Sequence, residues 1–457
     1  MIMYRQALDY LREWKTRSLR EPLVIRGARQ VGKSYLVRRF SELEFSNLLE
    51  LNLEFDPTDA SLFMNRKPDQ TVALLEAKYQ VRITPGETLL FLDEIQAVPE
   101  LLAALRYFHE QLPGLHVIAA GSLLDFALSN HRFSMPVGRI EYLHLGPMNF
   151  DEFLLALGHE RLLDYLRGYQ VGQDLLLHED LIKRVKQYWM VGGMPEAVAA
   201  FARDQNYRDC ERIKQTLLAT YRDDFAKYGS RVKLPVLGKV FSGLPRQVGR
   251  KFVYTNVDRD IRHSDIKAAF EQLCLARVAQ KVCHSDADGV PLGAQARERH
   301  FKALFLDVGL LCRACGVGIV DLESAKDITL VNSGAVAEQF VGQHLLHEGE
   351  FCEEPALHCW MRQKASSNAE VDYLLTMGQQ VIPIEVKAGK TGTLKSLHLF
   401  VSLKQRDVAL RFNAAAPSVV DIQTNVPSCD RQSFRLLSLP FYLIGQTRRL
   451  CTEAMAI

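Results

Sequence analysis

Residues 27 to 34 read Gly-Ala-Arg-Gln-Val-Gly-Lys-Ser, which fits the spacing G-x-x-x-x-G-K-[ST] without departure. Glycines at both ends of this spacing let backbone N–H groups turn inward with no Cβ in the way, and a helix starting near Lys33 would add its positive amino-terminal end. Such a loop suits the phosphates of ATP, held by Gly27, Ala28, Arg29, Gln30, Val31, Gly32, Lys33, Ser34 and Tyr35. Lys33 should reach the β- and γ-phosphates, and the Ser34 hydroxyl should ligate Mg2+. Further along, "TLLFLDEIQAV" delivers Asp93 and Glu94 at the end of an apolar run. Asp93 would hold the magnesium, directly or through water, and Glu94 would orient and polarise the attacking water. In "VIAAGSLL", Ser122 ends another apolar run and could sense the γ-phosphate; a helix cap is the other reading. Arg139 in "PVGRIEYLHL" could neutralise charge on the γ-phosphate, from its own subunit or a neighbour's, or could form a surface ion pair.

A second group of chemically active residues lies in "EVDYLLTMGQQVIPIEVKAGK", which reads as a β-hairpin. A two-residue loop at Gly378-Gln379, with glycine first as a type II′ turn prefers, sets Asp372 opposite Glu385. Facing carboxylates repel, so this hairpin needs a cation or a proton between them. Lys387 lies two residues beyond Glu385 and projects from the same face. Magnesium held by Asp372 and Glu385 would lower the pKa of a bound water, with Lys387 steadying it against a phosphodiester. Glu338, in the helical stretch "SGAVAEQFVGQHLL", borders the apolar stripe and could face the same sheet. The alternative is a solvated strand face with incidental charges. Pro383 complicates the hairpin, because proline cannot donate to a ladder.

The elements that must position these residues can be read from periodicity. Short apolar runs at residues 23–25, 48–53, 88–92 and 115–120 alternate with helical segments, the pattern of an α/β domain with a parallel sheet. Helices follow, broken at Gly192-Gly193 and restarted at Pro195. Residues 206 to about 310 continue helically, with "SDIKAAFEQLCLARVAQKV" an amphipathic helix running into a strand. Arg246, Arg250 and Lys251 precede it. A helix-turn-helix with a wing and a plain helical spacer with a basic edge both fit this order. A helix over residues 334–348 then leads into strands around "LHCWMRQ", "EVDYLL" and "VIPIEVK".

Composition bounds the answer. A chain of 457 residues suggests about three domains, and 47% hydrophobic with 24% charged residues is the balance of a folded globular protein. The net charge of +2 means that any nucleic-acid contact must come from local clusters. The nine scattered cysteines read as reduced thiols, and the single C-x-x-C at Cys312 and Cys315 lacks the second pair that zinc requires. No run of 18 apolar residues occurs, so a cytoplasmic protein without a membrane partner is expected.

Together, "RGARQVGKS", "LLFLDEIQAV", "AGSLLDF", "PVGRIEYLHLGPMNFDEFL", "GGMPEAV" and "YRDDFAKY" resemble the AAA-type ATPases that carry a domain of unknown function behind the P-loop core. The resemblance implies a P-loop ATPase core at residues 1–150, a helical lid at 151–205, a helical and winged-helix-like domain at 206–325, and a restriction-endonuclease-like α/β domain at 326–457. The carboxyl-terminal acids are similar to that superfamily's helix Glu, then Asp, then Glu-x-Lys, carried over to Glu338, Asp372, Glu385 and Lys387. The expected function is an ATPase whose nucleotide state controls a DNA-directed or nuclease-like domain. The alternative is a nucleotide-gated module that recruits a protein partner without cutting; a homo-oligomer is a separate expectation, because an arginine acting in trans at Arg139 requires neighbouring subunits. A small-molecule kinase is the third reading of the same loop.

Overall fold

The structure is a computed structural model, and it describes residues 3–64, 67–130, 136–227, 232–317, 333–364, 367–390, 392–426 and 431–456. Cys429 and the expected domain boundary at 325/326 lie outside the described residues.

Five parallel strands build the amino-terminal sheet: β1 (Leu23–Arg26), β2 (Asn47–Asn52), β3 (Thr88–Asp93), β4 (His116–Gly121) and β5 (Glu141–His144), in the order β2-β3-β4-β1-β5. β3 and β4 are buried along their whole length, which explains why their sequences are apolar on both faces. The sequence reading anticipates four of these strands and misses β5. Its residues Glu-Tyr-Leu-His carry no apolar run, and their strand form comes from parallel pairing with β1.

The carboxyl-terminal sheet has eight strands: β6 (Ala279–Ser285), β7 (Ala296–Phe305), β8 (Leu357–Lys364), β9 (Ser367–Met377), β10 (Gln380–Val386), β11 (Val408–Asn413), β12 (Ser418–Gln423) and β13 (Ser433–Pro440). Their order is β12-β13-β11-β10-β9-β8-β6-β7. The antiparallel pair β6–β7 follows the helix His263–Leu275, and β6 joins the sheet by parallel pairing with β8. Two strands from ahead of residue 326 therefore complete a sheet whose other strands come after it. Burial drives this: β7 ends in five buried residues that need the sheet and its helix as cover.

The β9–β10 hairpin has the expected register, with Gln380 opposite Met377 and Ile384 opposite Tyr373. Gly378 takes the positive φ, 58°, that the first turn position requires. Counting from the narrow pair at Met377 and Gln380, Pro383 falls at a non-bonded position toward β9. The ladder to β11 starts only at Ile384, so the missing N–H interrupts neither neighbour.

The two sheets are joined by helices and by side chains. The helix Ser333–Leu346 is fixed to β7 by Gln339, which accepts from the Phe305 N–H at 2.8 Å and donates to its carbonyl at 2.7 Å. Phe340 of that helix packs on Tyr188, Trp189 and Phe441 with ring centroids 5.6, 6.0 and 6.1 Å away. A chain of charges runs alongside. Arg26, which ends β1, pairs with Asp125 at 3.2 Å, and Asp125 also takes Arg277 at 2.9 Å. Arg277 reaches Glu354, which lies 3.4 Å from His144 of β5. Among the described residues, no helix is long and apolar enough to cross a membrane.

Candidate functional site

The loop before the helix Lys33–Glu44 has the backbone that its glycines suggest. Gly32 has φ 93°, and a Cβ on Gly27 would meet the Leu145 carbonyl at 2.3 Å, so neither position tolerates a side chain. Among the described residues no side chain caps this helix, which leaves its first N–H groups for an anion. Lys33 is buried and donates to the Gly27 and Ala28 carbonyls at 3.1 and 2.8 Å. Burial lowers its pKa to about 8, against the attraction of Glu94 and Asp93.

Ser34 and Asp93, the two residues expected to hold magnesium, are in contact: the Ser34 hydroxyl donates to Asp93 Oδ2 at 2.8 Å. Burial raises the Asp93 pKa, and the Ser34 bond opposes it. A hydroxyl beside a carboxylate is a hard-oxygen set that suits Mg2+. Glu94 follows in the left-handed region, φ 53°, and accepts from Gln96 Nε2 at 2.5 Å. With Arg29, Ser122, Lys33 and Ser34 it lines an open cavity of about 420 Å³. Arg139 stands apart, pairing with Glu110 at 3.1 Å with its side chain 45% exposed.

Three sets of contacts that support this pocket were not named in the sequence reading, although Arg29 itself was. Arg5, buried near the amino terminus, donates to the Val31 carbonyl at 2.8 Å and pairs with Glu152 at 3.1 Å, bracing the loop from outside. Gln96 packs against Gly121, where a Cβ would lie 2.5 Å from its Oε1 and push that side chain aside. Arg29 donates through Nε to the Ser122 hydroxyl at 3.2 Å and pairs with Asp224, while its carbonyl accepts from Tyr221 at 2.6 Å. The motif "YRDDFAKY" could have pointed to the last two residues.

The carboxyl-terminal acids also come together. One step past Ile384 and Tyr373 in the hairpin register, Asp372 stands opposite Glu385, and Asp372 Oδ2 accepts the Val386 N–H at 2.8 Å. Glu338 reaches the same place from its helix, but the centre belongs to a residue the sequence reading did not name. Lys302 of β7, only 2% exposed, sits 2.5 Å from Glu338, 2.6 Å from Glu370 and 3.0 Å from Asp372. Those three acids form a group whose ligand atoms lie within 4.8 Å of one another, the span a metal ion would need. Another strand thus supplies the cation for Asp372, while Glu385 takes the hairpin's own Lys387.

Glu385 lies beside this arrangement. Its Oε1 accepts from Lys387 at 2.5 Å, and its buried Oε2 has no hydrogen-bond partner among the described residues. Burial and the Asp372 charge push its carboxyl up to about 7, while Lys387 pulls it down. The same two causes push Glu338 up to about 8. Burial opposes the charge on Lys302, yet Asp372, Glu338 and Glu370 hold its pKa well above the usual lysine value. The residues fit a divalent cation only in part: Glu385 offers an orphaned oxygen, but Lys302 already engages Asp372.

A glycine-rich loop, strand-end acids and a parallel sheet define a P-loop nucleotide-binding domain. Residues 19–154 match the family described as AAA domain, residues 182–320 a domain of unknown function (DUF8612), and residues 333–442 a domain of unknown function (DUF4143). The chain therefore carries an AAA-type P-loop ATPase domain and a carboxyl-terminal DUF4143 domain, which spans β8 to β13, while β6 and β7 of the same sheet fall in the DUF8612 match. No curated protein matches the chain. Solved structures with some likeness include the Aeropyrum pernix ORC2 protein (12% identity, covering 70% of this chain and 94% of that one, TM-score 0.32). The Thermotoga maritima RuvB Holliday junction branch migration motor is 14% identical, covering 61% and 90%, with TM-score 0.28. C. elegans PCH-2 is 9% identical, covering 46% and 66%, with TM-score 0.27. At these scores they add nothing to what the AAA match establishes.

Proposed function

We propose that the chain binds ATP with Mg2+, hydrolyses it, and uses its nucleotide state to control a carboxyl-terminal domain that holds a partner without cutting it. The contact between the Ser34 hydroxyl and Asp93 carries the ATP half, because it joins the two expected magnesium ligands beside Lys33 and Glu94. Magnesium held there would neutralise charge on the β- and γ-phosphates. Lys33 would leave the loop carbonyls for the phosphate oxygens, and Glu94, oriented by Gln96, would take the proton of the attacking water.

Lys302 supports the non-cutting half. An ammonium within hydrogen-bond distance of three carboxylates leaves a metal to compete with a fixed internal cation. The partner is DNA or a protein, and a further copy of this chain would bring Arg139 to a neighbouring pocket. A second reading, metal-dependent cleavage of DNA by a restriction-endonuclease-like site, is favoured by the unpartnered Glu385 oxygen beside Lys387. Incubation of the chain with duplex and single-stranded DNA in Mg2+ or Mn2+ separates the two: intact DNA upholds binding, and fragments that disappear in Glu385→Ala overturn it. For the ATP half, Glu94→Gln should keep ATP binding while turnover falls by a factor on the order of 10² or more. Unchanged turnover would remove Glu94 as the base.

A further inference from the structure

We infer that Arg29 reads the terminal phosphate of the bound nucleotide and that Asp224 is the positioning residue that holds its guanidinium in waiting. The inference rests on the ATP reading above and concerns a step within it. Glycines and Lys-Ser suffice to wrap phosphates, so an arginine inside the loop calls for a separate account. Its side chain is not free in solvent. It is 23% exposed, bonded to the Ser122 hydroxyl at 3.2 Å and paired with Asp224, and it lines the same cavity as Lys33, Ser34 and Glu94. Ser122 follows the carboxyl end of β4, next to β1, where open parallel sheets bind their ligands.

The backbone at this point is held as firmly as the side chain. Gln30, the next residue, has φ 63°, a conformation costly for a residue with a Cβ. The Arg29 carbonyl accepts the Tyr221 hydroxyl at 2.6 Å. Tyr221 lies in the last turn of the helix Tyr207–Asp223, and Asp224 opens the short 3-10 turn that follows. One residue of the phosphate loop is thus clasped at two points by an element outside the nucleotide-binding sheet. That helix packs on the helices Pro195–Asp204 and Val308–Cys315, the second of which follows directly on β7.

A guanidinium between a carboxylate and an incoming phosphate has two competing anions, and it matches phosphate with two parallel donors. ADP leaves the Asp224 pair in place. A triphosphate brings an additional charged group to the mouth of the loop, draws Arg29 from Asp224, and leaves a largely buried carboxylate without its cation. The turn at Asp224 then loosens, and the nucleotide's phosphate count becomes a position of the helix Tyr207–Asp223.

Calorimetry on the full chain, with Mg-ADP and a magnesium-loaded non-hydrolysable ATP analogue, tests this in wild type, Arg29→Ala, Arg29→Lys and Asp224→Asn. Arg29→Ala should weaken the triphosphate analogue about 10- to 100-fold more than it weakens ADP. Arg29→Lys should recover part of that difference. Asp224→Asn, which removes the competing anion, should shift the preference several-fold toward the triphosphate. Equal loss for both nucleotides in Arg29→Ala would make the residue part of the loop's architecture and overturn the inference, as would an unchanged ratio in all variants. If Arg29→Ala fails to fold, the ratios in Arg29→Lys and Asp224→Asn decide alone. Failure of wild type to bind either nucleotide would instead sink the ATP reading itself.

Discussion

The protein holds two clusters of acids with lysines, and they use lysine in opposite ways. In the phosphate loop, Lys33 rests on two backbone carbonyls, and the Asp93 carboxylate accepts, among the described residues, from a serine hydroxyl and a backbone N–H. In the carboxyl-terminal sheet, Lys302 lies among three carboxylates and satisfies them directly. The first cluster keeps its charges available for a ligand, while the second spends a buried ammonium on its own fold. Similar residue types can therefore stand open to a ligand or be neutralised from within, and what separates them is whether the cation already has an anion.

The sharpest way to break this comparison is to make one substitution in both places. Lys302→Met should destabilise the chain by about 3–5 kcal/mol, because it leaves buried acids without their cation. Lys33→Met should abolish ATP binding while moving stability far less. Urea denaturation and calorimetry on both variants check this, and equal stability losses would erase the distinction. In Lys302→Met, millimolar Mn2+ should restore part of the lost stability, an effect absent in wild type.

The excess charge of the second cluster gives a smaller effect, with a definite sign. The Glu385 carboxyl sits at about 7 when folded, against an ordinary value of 4.5. Between those values the folded state binds more protons than the unfolded chain, so stability falls as pH rises from about 5 toward 8. The loss attributable to this group is on the order of 3 kcal/mol. Glu385→Gln should flatten that part of the profile, with Asp372, Lys387 and Lys302 left in place. Urea midpoints at pH 5 and 8 measure it, and a variant with wild-type slope would move the excess charge elsewhere. Smallest is Arg139→Ala, which breaks an exposed pair and should change stability by less than about 0.5 kcal/mol. Its use is kinetic: a fall in turnover confined to concentrations where copies associate would place Arg139 at a neighbour's pocket.

How much of this was legible follows from how far apart the partners lie in the chain. The phosphate loop is contiguous, and the apolar runs that aim Asp93 and Ser122 are local, so residue types and spacing were enough. The hairpin register could be read because Gly378 fixes it within a few residues. Lys302 could not, since it precedes Asp372 by two strands and meets it only through the pairing of β6 with β7 and β8. Arg5 is hidden in the same way, bracing the loop from a distant segment with nothing in its neighbourhood to mark it, whereas Asp224 lies in the motif "YRDDFAKY" but its partner in the loop cannot be read from the motif.

The crossing of Lys302 from β7 to the acids of β9 and its flanking helix also decides where the chain can be cut. A fragment beginning at residue 326 would lose both β6 and β7, baring the edge of β8 and stranding Glu338, Glu370 and Asp372 without counter-charge. One beginning ahead of the helix His263–Leu275 would keep the set intact, well upstream of the point where its acids begin.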